Sequence, residues 1–202
     1  LAPPAESHPE IGHCQHHRER DRQRYARERQ QHRQQKGGDD PEPNAEPDLA
    51  TSTNSDLYVA PLAGGQPTKI TINVGADNSP QFSPNGKYLA YRSQVRAGYE
   101  ADRWRLVVMD RSNGEARILT ENLDRWVGSF TWAPDSTRLF FAVEDRGRQA
   151  IQMISVSGGA ARAVASGPSS LDDVQLTADG KTMVYTEQSA SRPVEIFRAS
   201  SS

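Results

Sequence analysis

The sequence has no long apolar run and has a single cysteine, Cys14. A membrane-spanning helix needs about 20 consecutive apolar residues, so we predict no membrane span. One cysteine also excludes a disulfide within the chain, because a disulfide joins two of them. The 24 basic and 26 acidic residues nearly cancel, which gives no bias toward nucleic acid. These features leave both the cytoplasm and the periplasm open as locations.

Histidine is confined to the first part of the chain, where the last of the five is His32. The motif G-x-S-x-G, which places a nucleophilic serine on a strand-to-helix turn, is also missing. Without that serine and without a histidine base, a Ser-His-Asp triad cannot be assembled from the later residues. We therefore predict that the chain holds no catalytic residue of its own.

Branched apolar residues are rare in residues 1–49, which we interpret as a low-complexity charged segment followed by a linker. The run Arg18–Lys36 offers good helix formers but almost no apolar positions, so it predicts an isolated, solvated helix or disorder. The stretch GHCQHH (12–17) contains zinc-ligand residue types, yet no second ligand pair follows at finger-like spacing. We predict no structural metal site and no cofactor.

From Ser55 onward, short runs of Val, Ile, Leu, Tyr and Phe alternate with turns rich in Gly, Pro, Asn and Asp. Examples are LYVAPL, KYLAYRS, WRLVVMD, RLFFAVE, IQMISVS and TMVYTE. Their spacing is typical of an all-β sandwich, barrel or propeller. An internal repeat decides among these three architectures.

Three segments share one plan, in which an apolar residue is followed by a tight polar turn and then a strand. They are QFSPNGKYLAY (81–91), TWAPDSTRLFF (131–141) and QLTADGKTMVY (175–185). Their apolar positions, Phe82, Trp132 and Leu176, are 50 and 44 residues apart, close to the ~40–50 residues of a four-stranded propeller blade. We therefore predict an all-β fold, a partial β-propeller of antiparallel blades. Its parts are a half blade (55–72), two blades (78–120 and 127–165) and a partial blade (172–199).

Turn residues and tryptophans give further expectations. Asn113–Gly114 and Gly158–Gly159 suit type I′ hairpin turns, which need positive φ at both central positions. Aspartates in turns are expected to cap backbone N–H groups; they are Asp77, Asp110, Asp135 and Asp179. Tryptophans at strand positions are expected to pack between blades; they are Trp104, Trp126 and Trp132.

The string FSPNGKYLAY (82–91), followed by LVVMD (106–110), is similar to the repeats of TolB-like propellers and of propeller domains in prolyl oligopeptidase-family serine peptidases. Within that family, TSTNSDLYVAPLAGGQPTKIT (51–71) and YRSQVRAGYEADRWRLVVMDR (91–111) most resemble bacterial acylaminoacyl-peptidases and dipeptidyl-peptidases. The resemblance covers Ala50–Ser202. It implies a non-catalytic propeller that lies over an α/β-hydrolase domain, screens peptide substrates by size and contributes polar groups that hold the amino end of the peptide.

The resemblance also singles out an insertion between two predicted strands, Arg96–Asp102, which favours the peptidase relatives. Glu100 is a candidate partner for a peptide's ammonium end, and Arg96 for a substrate carbonyl or carboxylate. The alternatives are an exposed loop acid and a solvated loop cation. For the whole chain, the alternative function is a TolB-like scaffold that binds a protein partner.

One segment departs from the family. The resemblance implies that residues 1–48 contain the first two strands of the opening blade, but that segment has no strand-like run.

Overall fold

The computed structural model describes residues 53–201, and every regular element in that range is a β-strand. The all-β fold class is therefore confirmed. The expectation of a helix or disorder in residues 1–49 lies outside the described range. The strands are β1 Tyr58–Val59, β2 Thr68–Lys69, β3 Asp77–Phe82, β4 Tyr88–Ser93, β5 Arg105–Asp110, β6 Ala116–Ile118, β7 Val127–Trp132, β8 Arg138–Asp145, β9 Arg148–Ser155, β10 Arg162–Ala165, β11 Ser170–Leu176, β12 Thr182–Ser189 and β13 Arg192–Ser200.

The strands form four antiparallel sheets in which neighbours in sequence are neighbours in space. Their orders are β1-β2, β3-β4-β5-β6, β7-β8-β9-β10 and β11-β12-β13. Two sheets thus have the four-stranded meander of a propeller blade. We number the sheets one to four in chain order.

Side chains on both faces of the inner strands are buried, because each sheet packs against the next. In β8, the consecutive residues Phe140 and Phe141 are 1% and 0% exposed, and consecutive strand residues point to opposite faces. Phe141 belongs to the cluster between sheets two and three, with Leu106 and Trp132. Phe140 belongs to the cluster between sheets three and four, with Met183.

The turn that follows the first strand of each repeat is the same in all three sheets. Asn85 Oδ1 accepts a hydrogen bond from the N–H of Lys87 at 3.0 Å, Asp135 Oδ1 from Thr137 at 2.9 Å, and Asp179 Oδ1 from Lys181 at 3.0 Å. The residue after each of these acceptors has positive φ. Those residues are Gly86, Ser136 and Gly180, with φ of 70°, 60° and 67°.

The expectation that aspartates cap turns is correct for three residues and wrong for one. Asp110 accepts from the N–H of Ser112, as Asp135 and Asp179 do in their turns. Asp77 instead begins β3, is 1% exposed, and has no hydrogen-bond partner for either carboxylate oxygen within residues 53–201. Burial raises its pKa, although the side chains of Ser93, Thr71 and Asn73 partly oppose the shift.

The expected type I′ turns are not formed as predicted. Only Gly114 of the first pair has positive φ (76°), and its N–H donates to the carbonyl of Asp110 at 2.8 Å. Gly158 and Gly159 both have positive φ. The turn there closes earlier, however, by a bond from the N–H of Gly158 to the carbonyl of Ser155.

Trp132 joins sheet three to sheet two. Its indole Nε1 donates to the carbonyl of Gln81 at 3.1 Å, and the Gln81 side chain donates to the carbonyl of Phe130 at 2.8 Å. The indole also stacks on Tyr88 at a centroid distance of 6.3 Å. For this tryptophan, packing between sheets is confirmed.

We expect Trp132→Ala to lower the free energy of unfolding of the 202-residue chain by about 3–5 kcal/mol, because the change leaves a cavity and removes the hydrogen bond to Gln81. Urea denaturation measures the effect. Phe82→Ala is the matched control, since Phe82 holds the same repeat position but is 54% exposed; it should cost less than about 1 kcal/mol. Equal losses for the two variants would contradict the role assigned to Trp132.

Candidate functional site

The insertion between β4 and β5 is an ordered loop supported by two buried polar side chains. Gln94 and Asp102 are 5% and 6% exposed. Gln94 Nε2 donates to the carbonyl of Glu100 at 3.1 Å and to that of Asp102 at 2.6 Å. The Gln94 side chain therefore fixes the loop backbone at Glu100 and Asp102.

Asp102 organises the two ends of this loop. Its Oδ2 accepts from the N–H of Val95 at 2.7 Å and of Arg96 at 3.1 Å. Its Oδ1 accepts from the N–H of Arg103 at 2.9 Å. Arg105 Nη1 completes the set with a charge-assisted contact to Oδ2 at 3.1 Å. A carboxylate in a tight loop is well suited to this task, because it accepts several hydrogen bonds at once.

The pKa of Asp102 is lowered from its ordinary value. Burial alone would raise it, but the hydrogen bonds from Val95, Arg105 and Arg96 and the charge of Arg105 outweigh burial. The side chain is thus ionised at neutral pH, with its charge balanced locally.

Two arginines connect the loop to the segment between β6 and β7. Arg103 donates to the carbonyls of Leu123 at 2.5 Å and Glu121 at 2.7 Å. Arg105 Nε lies 3.3 Å from Glu121 Oε2, an ion pair without hydrogen-bond geometry. The loop is therefore tied to the connection between sheets two and three.

The two predicted site residues lie on this loop with exposed side chains. Arg96 stacks over the ring of Tyr99 at 5.5 Å, and Tyr99 is 48% exposed. Glu100 is held through its carbonyl, whereas its carboxylate makes no ion pair within residues 53–201. The loop thus presents one cation, one aromatic ring and one carboxylate to solvent.

A cavity of about 600 Å³ lies elsewhere, between the β6 end of sheet two and the β9–β10 connection of sheet three. Its lining comes from residues 117–123 and 158–161 together with Ile154, and it includes neither Glu100 nor Arg96.

Sequence reasoning missed a second polar cluster, centred on Arg92. Its Nε donates to Asn78 Oδ1 at 3.0 Å, and its Nη1 to the carbonyls of Val127 and Gly128 at 3.3 Å each. The guanidinium also lies 5.2 Å from the ring of Trp104. Burial lowers the pKa of Arg92. The cluster fixes the start of β7 against sheet two.

The cluster has a counterpart between sheets three and four. Ser129 donates to a carboxylate oxygen of Asp172 and accepts from the N–H of Asp173 at 2.9 Å. Asp172 and Asn78 hold equivalent repeat positions, four residues before Leu176 and Phe82. This shared repeat position was the signal for the cluster in the sequence. Neither polar residue stands out by itself, because the surrounding residues are also typical of a turn.

Residues 53–201 contain no helix with the length and hydropathy that a membrane span requires. In the same range, no group of three or more His, Cys, Asp or Glu side chains is placed to hold a metal ion.

We expect Asp102→Asn to destabilise the chain by about 3 kcal/mol, because the change removes the buried carboxylate beside Arg105 and leaves that charge paired only with the exposed Glu121. Amide hydrogen exchange at Val95 and Arg96 should accelerate.

Because the folded pKa of Asp102 is lowered, the stability that Asp102 contributes is complete above the unfolded pKa of about 3.9 and is lost as pH falls through the folded pKa. The difference between wild type and variant should therefore shrink in acid.

Asp124→Asn provides the matched control, since that side chain is 99% exposed. It should leave both stability and exchange unchanged. An Asp102→Asn variant with a wild-type exchange pattern at Val95 would contradict the assigned role.

Known proteins resemble this chain in sequence and in fold. Residues 53–202 match the TolB beta propeller domain family. Dipeptidyl-peptidase 5 of Porphyromonas gingivalis is 32% identical over 148 residues, covering 73% of this chain and 21% of the relative. Dipeptidyl-peptidase 5 of Porphyromonas endodontalis is 33% identical over 152 residues, covering 75% and 22%. The chain thus spans about a fifth of the length of these relatives.

Solved structures show the same fold at lower identity. A putative TolB from Agrobacterium tumefaciens superposes with a TM-score of 0.59 at 20% identity, covering 73% of this chain and 53% of the other. Pyrococcus horikoshii acylaminoacyl peptidase gives 0.56 at 16% identity, covering 71% and 21%. The resemblance inferred from the repeats is confirmed, and the chain belongs to the TolB β-propeller domain family.

Proposed function

We propose that this chain is the propeller segment of a larger serine peptidase and that it screens and helps to bind peptide substrates over an α/β-hydrolase domain of the same protein. The observation that carries the proposal is the match to two dipeptidyl-peptidase 5 proteins over about three quarters of the chain. The missing G-x-S-x-G motif agrees with a segment that supplies binding groups rather than the nucleophile. The blade units in this proposal are residues 55–72, 78–120, 127–165 and 172–199.

Glu100 is the residue we assign to the amino end of the peptide. A charge-assisted hydrogen bond between a carboxylate and an ammonium group is stronger than a neutral one. The backbone of Glu100 is already held by Gln94, and the loop ends are held by Asp102. Preorganisation of this kind lowers the ordering cost of binding. The carboxylate is exposed in the chain alone, so its full effect requires a hydrolase domain that excludes water from above.

Arg96 is the second residue we assign to the substrate. Stacking on Tyr99 restrains its guanidinium, and the planar fork suits a carbonyl or carboxylate. The two residues would hold opposite charges of a short peptide, which favours small substrates with a free amino end.

The second candidate function is a TolB-like scaffold that binds a protein partner and has no hydrolase domain. The fold likeness to a putative TolB favours it. The sequence of the parent protein beyond these 202 residues separates the two candidates. The peptidase requires further blades and then a G-x-S-x-G motif on a strand-to-helix turn, whereas the scaffold requires no such motif.

We expect Glu100→Gln in the full-length parent to lower kcat/KM for peptides with a free amino end by about 1.5–3 kcal/mol in transition-state stabilisation. Peptides with a blocked amino end should be unaffected, because they lack the ammonium group. The 202-residue chain alone should hydrolyse neither class of peptide.

Glu115→Gln serves as the matched control. Glu115 is an exposed acid in the β5–β6 turn, at the opposite end of β5 from the insertion. Equal kinetics for wild type and Glu100→Gln on free-amine peptides would remove Glu100 from the site. Hydrolysis by the isolated chain that persists on repurification would overturn the non-catalytic assignment.

A further inference from the structure

Sheet one repeats the outer half of sheet two, hydrogen bond for hydrogen bond. In sheet one the N–H of Leu57 donates to Thr71 Oγ1 at 3.0 Å. In sheet two the N–H of Leu106 donates to Thr120 Oγ1 at 2.9 Å. Each pair is separated by 14 residues. The equivalence aligns β1 with β5, the third strand of sheet two.

Backbone bonds extend the same equivalence on both sides. The N–H of Ile70 donates to the carbonyl of Leu57 at 2.9 Å, as that of Leu119 donates to Leu106 at 2.8 Å. The first residue of the next sheet also repeats its bond. The N–H of Asp77 donates to the carbonyl of Ser55 at 2.7 Å, and that of Val127 to Trp104 at 3.0 Å. Sheet one therefore corresponds to the third and fourth strands of a blade.

The equivalent of β4 is absent from sheet one within residues 53–201. The side chains of β1 are exposed as a result. Val107 and Val108 in β5 are 3% and 1% exposed, whereas the corresponding Tyr58 and Val59 in β1 are 59% and 43% exposed. β5 has a strand on either side, but β1 pairs only with β2 among the described strands. Within residues 53–201 no strand pairs with the other edge of β1, and an unpaired edge is a template for strand addition.

Phe82 shows that the adjacent face is open as well. Trp132, at the same repeat position, is 6% exposed because it stacks on Tyr88, in the second strand of the preceding sheet. Phe82 is 54% exposed, and the sheet before it has no second strand in the described range. We define the hairpin seat as the free edge of β1, at Tyr58 and Val59, together with Phe82.

We propose that the hairpin seat binds a two-stranded β-hairpin of the same repeat, supplied by a part of the longer protein outside residues 53–201. The contact between sheets two and three is the template, since there the β3–β4 hairpin fills the equivalent place. The chain spans only about a fifth of its relatives, so a longer protein has ample sequence to supply it. Residues 1–48 contain no strand-like run, which makes them a poor source. This inference goes beyond the proposed function, because it holds equally for a peptidase and a scaffold.

The equivalence also fixes the register. Val59 corresponds to Val108, whose partner in β4 is Ala90. The hairpin residue at the position of Ala90 should therefore lie opposite Val59. Because side chains alternate across a strand, the next residue, equivalent to Tyr91, points to the other face.

Disulfide trapping tests both the occupant and its register. The 202-residue chain carries Cys14→Ser and Val59→Cys, and the probe is a synthetic peptide of residues 77–93 with Ala90→Cys. Opposed residues on paired strands meet the distance that a disulfide requires. We expect this peptide to crosslink several-fold faster than the same peptide with Tyr91→Cys in place of Ala90→Cys. Equal rates for the two peptides would overturn the proposed register and seat.

Two controls separate other occupants. Ile196, in β13, is 77% exposed, so a chain with Cys14→Ser and Ile196→Cys reports nonspecific trapping by another strand edge. Equal crosslinking there would overturn the proposal. If the Val59→Cys chain forms disulfide dimers without peptide, and the peptide does not compete, then the occupant is a second copy and the assigned hairpin is wrong.

A covalent version covers the case in which the free peptide binds too weakly to trap. A copy of residues 77–103 replaces residues 28–54, so that the hairpin and its connecting loop directly precede Ser55 at unchanged chain length. We expect the melting temperature to rise by about 5 °C or more and the amide of Tyr58 to become protected from hydrogen exchange. A scrambled insert is the control. No gain over the scrambled insert would refute the seat.

Discussion

Burial of both faces of the inner strands is the constraint on which the rest of the structure depends. A strand such as β8 is apolar at consecutive positions, so a single sheet cannot bury both of its faces. The strand is stable only when a sheet packs on each side. Each sheet thereby needs the next one, and the three core clusters lie between successive sheets rather than within them. At the hairpin seat, Tyr58, Val59 and Phe82 are exposed because no further sheet covers them within residues 53–201.

Asp77 is the exception within this stacked core. Its repeat equivalents, five residues before Trp132 and Leu176, are Val127 and Leu171, both buried and apolar. The donors around Asp77 are already used: Thr71 Oγ1 donates to Asp56, and the Asn73 amide donates to the carbonyls of Gly75 and Gln94. The side chains of Ser93, Thr71 and Asn73 therefore offset only part of the effect of burial on the pKa of Asp77.

Asp77 and Asp102 respond to acid in opposite directions. Burial raises the folded pKa of Asp77, so the folded state binds a proton that the unfolded state releases, and ionisation above that pKa costs stability. Asp102 has a lowered folded pKa, so its contribution disappears in acid. As pH falls, Asp77 takes up its proton above the ordinary carboxyl pKa, which relieves the contact between sheets one and two. The insertion loop weakens only at lower pH, where Asp102 is protonated.

The sequence predicted the fold because its signals were local and repeated. The turn at Asn85, Asp135 and Asp179 depends on a few adjacent residues, and three copies of it are easy to align. The error at Asn113–Gly114 has the opposite cause, because the turn closes through Asp110 and only Gly114 takes positive φ. Asp77 was misjudged since its burial depends on a neighbouring sheet. A turn motif in sequence does not report which face a later sheet will cover.

The candidate site follows the same division between local and tertiary information. Glu100 and Arg96 were accessible to sequence reasoning because an insertion interrupts a regular repeat. The residues that position them, Gln94 and Asp102, look like ordinary loop polar residues until their burial is known. Stacked sheets leave little freedom for polar side chains in the inner strands, so the connections at the sheet ends are where charged side chains can be exposed. Such a connection presents charge with fixed geometry only if buried acceptors hold its backbone, as Asp102 does here.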